Sequence, residues 1–565
     1  MHREILRLLL PITLLLTSLS PQAQPSALGQ FEPLINTGLV PIHVILLPNG
    51  KILYWDRHDE GTHDMNPRLW DPVSKTNVKT PPTSYDLFCA GHTFLRNGDV
   101  MVVGGHIEDF VGEDKISIYN WKAGTWDQSL PRMNAGRWYP TAINLPNGDV
   151  LMISGDITKS VGNPMPQIFD SRTRKLRTLD SAELALPWYP FMYVVGKDKA
   201  FMAGPESQTR MLNTQGRGGW TNVAVTNSHL NRNYGSSAMY EPGKIMICGG
   251  SIDPPTASVE LIDINAAKPA WTEAEPMKFA RRHHTATVLP DGTVMVTGGT
   301  GASGDNNASG AVFNAEMFDP KTGHWTTWAA AKTLRIYHSI AILMPDARVL
   351  TGGGGHPGDP YEDEHPDFEY FDPPYLFKGG TRPFIDAAPD TLYYGGEFLM
   401  TTSSPRIAQV TLIKSPAMTH AFNQNQDFNR LSFTKVAGGV KVKAPADSIL
   451  TTPGPHMLFL LDSAGVPSVA KTLFVTTGNA GNGILPGSSA PRISFTASGS
   501  RLVISGAALE GGAVCRLSDF RGRGTRKLQR GGSREFLLPA GLKAGAYLAT
   551  LHTGDREISA KFLVP

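Results

Sequence analysis

Short apolar segments separated by tight polar turns recur along most of this chain. Each unit is an apolar strand, a turn made of Pro, Asn, Asp or Gly, and a second apolar strand that ends near Gly. Seven such units begin at Val40, Phe88, Arg137, Trp188, Arg232, Arg281 and Arg335. Each unit continues into a third strand and, except in the seventh unit, a fourth, for example at Trp126, Trp220, Trp271 and Trp325. Four strands per unit predict the blade of a β-propeller.

The units follow one another at a spacing of about 50 residues, which is the length of a kelch-type blade. We therefore predict a seven-bladed kelch-type β-propeller. The seventh unit has a third strand in EYFDPPYLF but no fourth strand with Trp. The N-terminal stretch Gly29-Gln30-Phe31-Glu32 matches the missing strand. We expect it to complete the seventh blade and close the ring, which leaves no exposed sheet edge.

The strands that follow the repeats predict further β-domains. Alternating segments such as QVTLIK and HMLFLLD are typical of an immunoglobulin-like β-sandwich. The predicted fold is therefore all-β. Its parts are the propeller at 28–380, the sandwich at 381–477, a Gly/Ser/Pro linker at 478–491, and a small C-terminal β-domain at 492–565, whose role the sequence does not define.

Residues 1–27 have the pattern of a secretory signal peptide. Arg3 and Arg7 precede an apolar run from Leu8 to Leu16, and a small, polar stretch follows. The run is too short to span a membrane, and no later stretch is long and apolar enough to do so. We expect an exported monomer that is secreted, periplasmic or at the cell surface, with no transmembrane segment.

Charge and cysteine content narrow the class of function. A formal net charge of +2 without a basic block argues against a nucleic-acid partner. The three cysteines, Cys89, Cys248 and Cys515, are odd in number and far apart, so they do not form a disulfide framework. An odd cysteine in an exported protein indicates another role for at least one of them.

Three chemically active residues occupy the same slot of different repeats. Cys89, Tyr139 and His338 each lie seven residues before the residue that opens the turn, and Tyr337 precedes His338. Equivalent slots of a propeller lie on one ring, and the second and third blades are neighbours. Each residue alone is more often a packing residue. Together, two phenols, an imidazole and a thiol form a mixed donor set of the kind that suits Cu(II).

The chain resembles the copper-radical oxidases, namely galactose oxidase and especially the glyoxal oxidase-like branch. The resemblance covers about Phe31 to Thr477 and is carried by FCAGHTFLRNGDVMVVGG, RWYPTAINLPNG, RIYHSIAILMPD and SPAMTHAFNQNQDFNRLSF. It implies a thioether between Cys89 and Tyr139, which together form the radical cofactor. It also implies a copper ion with four ligands, namely Tyr139, Tyr337, His338 and, from a sandwich loop, His420.

The resemblance implies a two-electron oxidation of an aldehyde hydrate, a primary alcohol or a carbohydrate, with reduction of O2 to hydrogen peroxide. Sulfur on the ring of Tyr139 spreads the unpaired electron, and Tyr337 is the base for the substrate proton. The catalytic residues implied are Cys89, Tyr139 and Tyr337.

One departure separates the chain from galactose oxidase. The loop Gly155-Asp156-Ile157-Thr158-Lys159 has no Trp to stack on the tyrosine, which favours the glyoxal oxidase-like branch. Trp188 and Tyr234 are candidate replacements, although ordinary packing is the favoured interpretation of both. The alternative function is a non-catalytic kelch propeller that binds glycans or proteins. A glycosidase would need carboxylates in the slots that hold Cys, Tyr and His.

Overall fold

The structure is a computed structural model that describes residues 24–57, 66–251, 253–355, 364–477 and separate strands between 494 and 564. Strands dominate these residues, which confirms the all-β class. Helical turns occur at Pro25–Leu28, Ala308–Gly310 and Pro374–Phe377. Most of the predicted signal peptide and all of the predicted linker lie outside the described residues.

Each sequence repeat folds into its own antiparallel sheet. The first four sheets contain His43–Leu46, Ile52–Trp55, Arg68–Asp71 and Thr76–Lys79; Gly91–Phe94, Val100–Val103, Ile116–Asn120 and Thr125–Asp127; Thr141–Asn144, Val150–Ile153, Gln167–Phe169 and Leu176–Thr178; and Phe191–Gly196, Lys199–Gly204, Gln208–Asn213 and Gly219–Val225. The next three contain Ser236–Glu241, Lys244–Cys248, Val259–Asp263 and Trp271–Ala274; Arg282–Val288, Val294–Thr300, Asn314–Asp319 and His324–Ala330; and Ser339–Leu343, Val349–Gly353 and Asp367–Asp372.

In the first three repeats, the first two strands are buried on both faces because neighbouring sheets pack against each other. All residues of His43–Leu46, Gly91–Phe94 and Thr141–Asn144 are buried. This explains why these segments are apolar without a polar alternation. In the second and third repeats the hairpin turns at Gly98 and Gly148, at φ +85° and +79°, a conformation that glycine adopts without strain.

The N-terminal segment joins the sheet of the seventh repeat. Gln30–Phe31 pairs antiparallel with Asp372 and Phe371, and Ile35–Asn36 pairs with the other end of the same strand. The predicted completion of this sheet by the N-terminus is confirmed. The number of blades in a closed ring stays a prediction.

Residues after the repeats form two sheets that face each other. One contains Thr391–Tyr393, Lys471–Thr476, Gly454–Asp462, Ile407–Lys414 and Phe428–Leu431, and the other contains Glu397–Thr401, Gly439–Lys443 and Phe433–Val436. The C-terminal strands form two more sheets, made of Ser494–Ser498, Arg501–Ser505, Glu535–Leu537 and Gln529–Gly532, and of Arg526–Lys527, Val514–Asp519, Gly545–Thr553 and Arg556–Val564.

A hairpin from the sandwich enters the repeat region. Ala417–Thr419 pairs with His43–Leu46 of the first repeat, and Phe422–Asn423 completes the hairpin. Beyond it, Gln424 Oε1 accepts hydrogen bonds from the backbone N–H groups of His92 and Ala142, at 3.3 and 3.0 Å. The residue that follows the hairpin therefore satisfies buried backbone N–H groups of the second and third repeats. Two further hairpins stand beside the second and third repeats, at His106–Glu108 with Val111–Gly112 and at Asp156–Thr158 with Val161–Gly162.

Candidate active site

Six residues at the start of the first strand of a repeat, or just before it, share an unusual backbone conformation. They are Cys89, Tyr139, Tyr189, Tyr234, His283 and His338, with φ between 43° and 66°. A left-handed conformation costs a non-glycine residue about 1–2 kcal/mol, and residues held in this way cluster at functional sites. The three residues predicted to share a slot, Cys89, Tyr139 and His338, do share this conformation.

Buried arginines brace four of these turns. Arg137, Arg232, Arg281 and Arg335 each donate from Nη1 to the backbone carbonyl of Ser154, Gly249, Gly298 and Gly353 respectively, at 2.8–2.9 Å. Each arginine lies two or three residues before a left-handed residue. The bond ties the turn to the second strand of the same sheet, and this is the local reason that the unfavourable conformation is tolerated.

Tyr139 stands at the centre of the predicted site. Its Oη forms a hydrogen bond with Tyr337 Oη, although 198 residues separate the two tyrosines. The thiol of Cys89 lies within hydrogen-bonding contact of the Tyr139 side chain. The backbone N–H of Tyr139 donates to the Cys89 carbonyl at 2.9 Å. The fold therefore places the predicted thioether partners side by side.

Two imidazoles complete the cluster. The His420 ring centroid lies 4.5 Å from that of Tyr139 and 4.9 Å from that of His338. His338 Nδ1 bonds to the Gly355 carbonyl at 2.9 Å, which leaves Nε2 as the nitrogen with the lone pair. His420 Nδ1 bonds to Thr419 Oγ1 at 2.6 Å. His420 is left-handed as well, at φ 46°, in the turn of the sandwich hairpin.

Burial controls the protonation of this cluster. Burial, followed by the influence of Cys89 and Tyr337, raises the pKa of Tyr139 well above its usual value. Burial and then Tyr234 raise the pKa of Tyr337 in the same direction. Burial and then His92 lower the pKa of His420 to about 3. The phenols are therefore neutral, and a cation among them would favour their ionisation.

The donor set fits a copper ion. His420 Nε2 is buried and has no hydrogen-bond partner among the described residues, and a buried nitrogen of this kind is a ready ligand. Within the described ranges, no group of three His, Cys, Asp or Glu side chains could hold a metal. A metal at this cluster would therefore rely on the phenol oxygens of Tyr139 and Tyr337 as well as on the imidazoles. Imidazole and phenolate together suit Cu(II).

The residue stacked on Tyr139 is Trp138, which the sequence analysis did not single out. The two ring planes lie 3.7 Å apart at the centroids and 7° from parallel. Trp138 Nε1 donates to His106 Nδ1 at 3.2 Å. Trp188 meets Tyr139 edge-on at 5.5 Å, and Tyr234 faces Tyr337 rather than Tyr139. Neither candidate replacement is the stacking residue.

Trp138, Phe110 and Trp188 pack against one another and form an aromatic wall beside Tyr139. Phe110 lies 4.9 Å from Trp138 and 5.7 Å from Trp188 between ring centroids. Trp188 is 36% exposed, so the wall reaches solvent beside Tyr139. Phe110 is contributed by the hairpin beside the second repeat, which no periodicity of the repeats would predict.

Comparison with known proteins agrees with this architecture. Residues 68–375 match the family model Glyoxal oxidase N-terminus, and residues 382–475 match the model Galactose oxidase-like, Early set domain. A galactose oxidase of Gibberella zeae is 29% identical over 496 residues, covering 80% of this chain and 72% of that protein. Aldehyde oxidase GLOX of Vitis pseudoreticulata is 26% identical over 520 residues, covering 78% and 96%.

A solved structure shares the fold. It is described as a novel fungal alcohol oxidase with catalytic diversity among the AA5 family, in complex with copper. It superposes with a TM-score of 0.73 at 24% identity, covering 80% of this chain and 100% of the other.

These matches define the class as an enzyme, an oxidase of the copper-radical type. More specifically, the chain belongs to the glyoxal oxidase family, whose model matches more than half of its length. The resemblance drawn from the sequence is confirmed at this level. No helix among the described residues is long and apolar enough to cross a membrane.

Proposed function

We propose that this protein is an exported oxidase that removes two electrons from a primary alcohol or an aldehyde hydrate and reduces O2 to hydrogen peroxide. The observation that carries the proposal is the contact of Cys89 with Tyr139, whose Oη is bonded to Tyr337. We further propose that the seven repeat sheets form a closed propeller and that residues 1–27 direct export.

Cys89 and Tyr139 form the radical cofactor through a thioether bond. The electron balance explains why such a group is needed, because one copper ion accepts only one electron and the oxidation releases two. The linked Tyr139 ring is one acceptor, and sulfur lowers its potential by spreading the unpaired electron. Trp138 lies flat against the ring and shields it from water.

The residues that would hold a copper ion are Tyr139, Tyr337, His338 and His420. Copper bound there would supply the second one-electron acceptor and would polarise the substrate oxygen. Tyr337 Oη accepts the proton of the substrate hydroxyl. A cation bound at the site would favour the phenolate form of Tyr337, which is the form that can accept this proton. The two electrons then pass to O2 with two protons, which gives hydrogen peroxide.

The substrate approaches along the aromatic wall, since Trp188 is the part of the wall that reaches solvent beside Tyr139. The relatives are named galactose oxidase and aldehyde oxidase, so we consider alcohols, aldehydes and carbohydrates as substrate classes.

The test is peroxide production by the copper-loaded protein on a panel of small aldehydes, primary alcohols and sugars. We expect peroxide from the wild type and a loss of at least about 100-fold in Tyr337→Phe, since general acid–base contributions reach this size. Cys89→Ser cannot form the thioether and should lose peroxide production as well. Cys248→Ser is the matched control, because Cys248 is also a buried free thiol but bonds to His284. Absence of peroxide from every substrate would favour a non-catalytic propeller that binds glycans or proteins.

A further inference from the structure

The backbone of Cys89 is held differently from that of its equivalents in other repeats. The N–H of Tyr139 donates to the Cys89 carbonyl, that of Tyr189 to the Tyr139 carbonyl, and that of His283 to the Tyr234 carbonyl, at 2.8–3.0 Å. Each bond runs from one left-handed residue to another. The N–H of Cys89 donates instead to a side chain, His43 Nε2, at 3.1 Å. Of these four hydrogen bonds, only the one from Cys89 has a histidine side chain as its acceptor.

His43 is itself held firmly. It lies on the inner strand of the first repeat and is fully buried. Its ring stacks on Trp55 with centroids 4.9 Å apart and planes 6° from parallel. Trp55 Nε1 donates to the Leu87 carbonyl at 2.9 Å. Two stacked side chains of one repeat therefore fasten both ends of the short segment from Leu87 to Cys89 in the next repeat.

The hydrogen bond fixes the state of the His43 ring. A backbone N–H can only donate, so Nε2 must carry a lone pair and the ring must be neutral with its proton on Nδ1. Only a side chain with an acceptor at this position can hold the Cys89 N–H. Cys89 is left-handed at φ 59°, which is costly for a non-glycine residue, and its N–H is bonded to His43 in this conformation.

We propose that His43 is a positioning residue for the formation of the Cys89–Tyr139 thioether. It holds the Cys89 backbone so that Sγ faces the Tyr139 ring. This inference rests on the proposed function. In the step that His43 assists, the Cys89 S–H bond and one Tyr139 ring C–H bond break and a C–S bond forms. The two electrons and two protons released reduce one dioxygen to hydrogen peroxide.

The test follows the cross-link itself rather than turnover. Metal-free protein is loaded with copper without oxygen, and the copper affinity is measured. Oxygen is then admitted, and the linked peptide is quantified over time by mass spectrometry. His43→Phe keeps a ring to stack on Trp55 but has no acceptor. His43→Gln restores an acceptor oxygen at a similar reach.

The matched control is His92→Phe. His92 is a buried imidazole that also packs on Trp55, with centroids 5.0 Å apart, and its Nε2 contacts the Val44 carbonyl at 3.3 Å. Its side chain makes no hydrogen bond to Cys89. A purely structural effect of losing a buried imidazole would therefore appear in both phenylalanine variants.

We expect His43→Phe to slow cross-linking about tenfold, which corresponds to the loss of one buried hydrogen bond. The copper affinity should be unchanged. His43→Gln should recover to within about twofold, and His92→Phe should match the wild type. Equal rates in wild type and His43→Phe, or equal slowing in both phenylalanine variants, would overturn the inference.

Failure of the proposed function and misfolding of His43→Phe can each be distinguished from failure of this inference. If the wild type forms no cross-link at all, the proposed function fails and this inference fails with it. If His43→Phe does not fold, Trp55→Phe decides, because it keeps the stacked ring but loses the bond to Leu87. We expect Trp55→Phe to slow cross-linking about threefold, a fraction of the value of one hydrogen bond. An unchanged rate there would contradict the inference.

Discussion

Glu316 has a buried carboxylate. Among the ion pairs of the described residues, its only partner is the guanidinium of Arg281. Arg281 Nη2 lies 2.5 Å from Glu316 Oε2, and both side chains are fully buried. The other carboxylate oxygen accepts the backbone N–H of Lys278 at 2.7 Å. Arg281 lies next to the left-handed turn at His283. The Arg281–Glu316 ion pair therefore links this turn to the third strand of the sixth repeat. We expect Glu316→Gln to destabilise the protein substantially.

The loss of stability in Glu316→Gln depends on which interactions Arg281 retains. Removing one partner of a buried ion pair typically costs about 3–5 kcal/mol, because the other charge is left uncompensated. Arg281 would keep its bonds to the carbonyls of Gly298 and Asn314. Glutamine also offers a neutral acceptor. The expected cost is therefore about 3 kcal/mol, at the lower end of this range.

The third repeat contains the same arrangement without an acid. Gln167 occupies the position of Glu316, since it pairs with Met152 as Glu316 pairs with Val296. Burial lowers the pKa of Arg137, the arginine of that repeat, to about 9. The converse variant, Gln167→Glu, gives Arg137 a partner and serves as the matched control. It should be neutral or stabilising.

The assay is the thermal unfolding midpoint, followed by tryptophan fluorescence. A loss of about 3 kcal/mol corresponds to a fall of roughly 6–12 °C at 2–4 °C per kcal/mol. Peroxide production below the midpoint should stay near the wild-type rate. A Glu316→Gln protein that unfolds within about 1 °C of the wild type would refute the reasoning, because the buried arginine would then need no counter-charge.

Three further predictions concern the site, the hairpin and pH. Trp138→Leu removes the ring stacked on Tyr139, a contact worth about 1 kcal/mol, and should lower turnover about fivefold and shift the potential of the radical in a redox titration. Gln424→Leu leaves the N–H groups of His92 and Ala142 without an acceptor and should cost about 2–4 kcal/mol in a melting experiment, whereas an unchanged midpoint would show that the hairpin is not held there. Burial, opposed by Arg335, raises the pKa of Glu369 to about 7. Its contribution to stability is therefore complete below the unfolded pKa of 4.5 and is lost as pH rises through about 7. Midpoints of Glu369→Gln should fall less than those of the wild type between pH 5 and pH 7.

Much of the fold could be predicted because it is local. The repeats show strand, turn and strand within twenty residues, and the turn residues Gly98 and Gly148 have the positive φ that such turns require. The pairing of Gln30–Phe31 with the seventh repeat was also predictable, since that repeat lacked its last strand. The slot shared by Cys89, Tyr139 and His338 followed from counting back from these turns.

The remaining features depend on contacts between distant segments. Trp138 adjoins Tyr139 in sequence, yet only the left-handed backbone at Tyr139 folds one ring onto the other. His43 accepts a hydrogen bond from Cys89, which is 46 residues away in sequence. The sequence around His43 predicts only a buried apolar strand. The hairpin of His420 was predicted only through family resemblance, because nothing in its own sequence indicates that it pairs with the first repeat.

The central claim is that Cys89 and Tyr139 become one cofactor, and peptide mass after copper loading in air tests it most directly. The account predicts a single linked species that contains both residues and has lost two hydrogen atoms, while Cys248 and Cys515, which are also free thiols, remain open to alkylation in the denatured protein. Full alkylation of Cys89 after exposure to copper and oxygen would contradict the account.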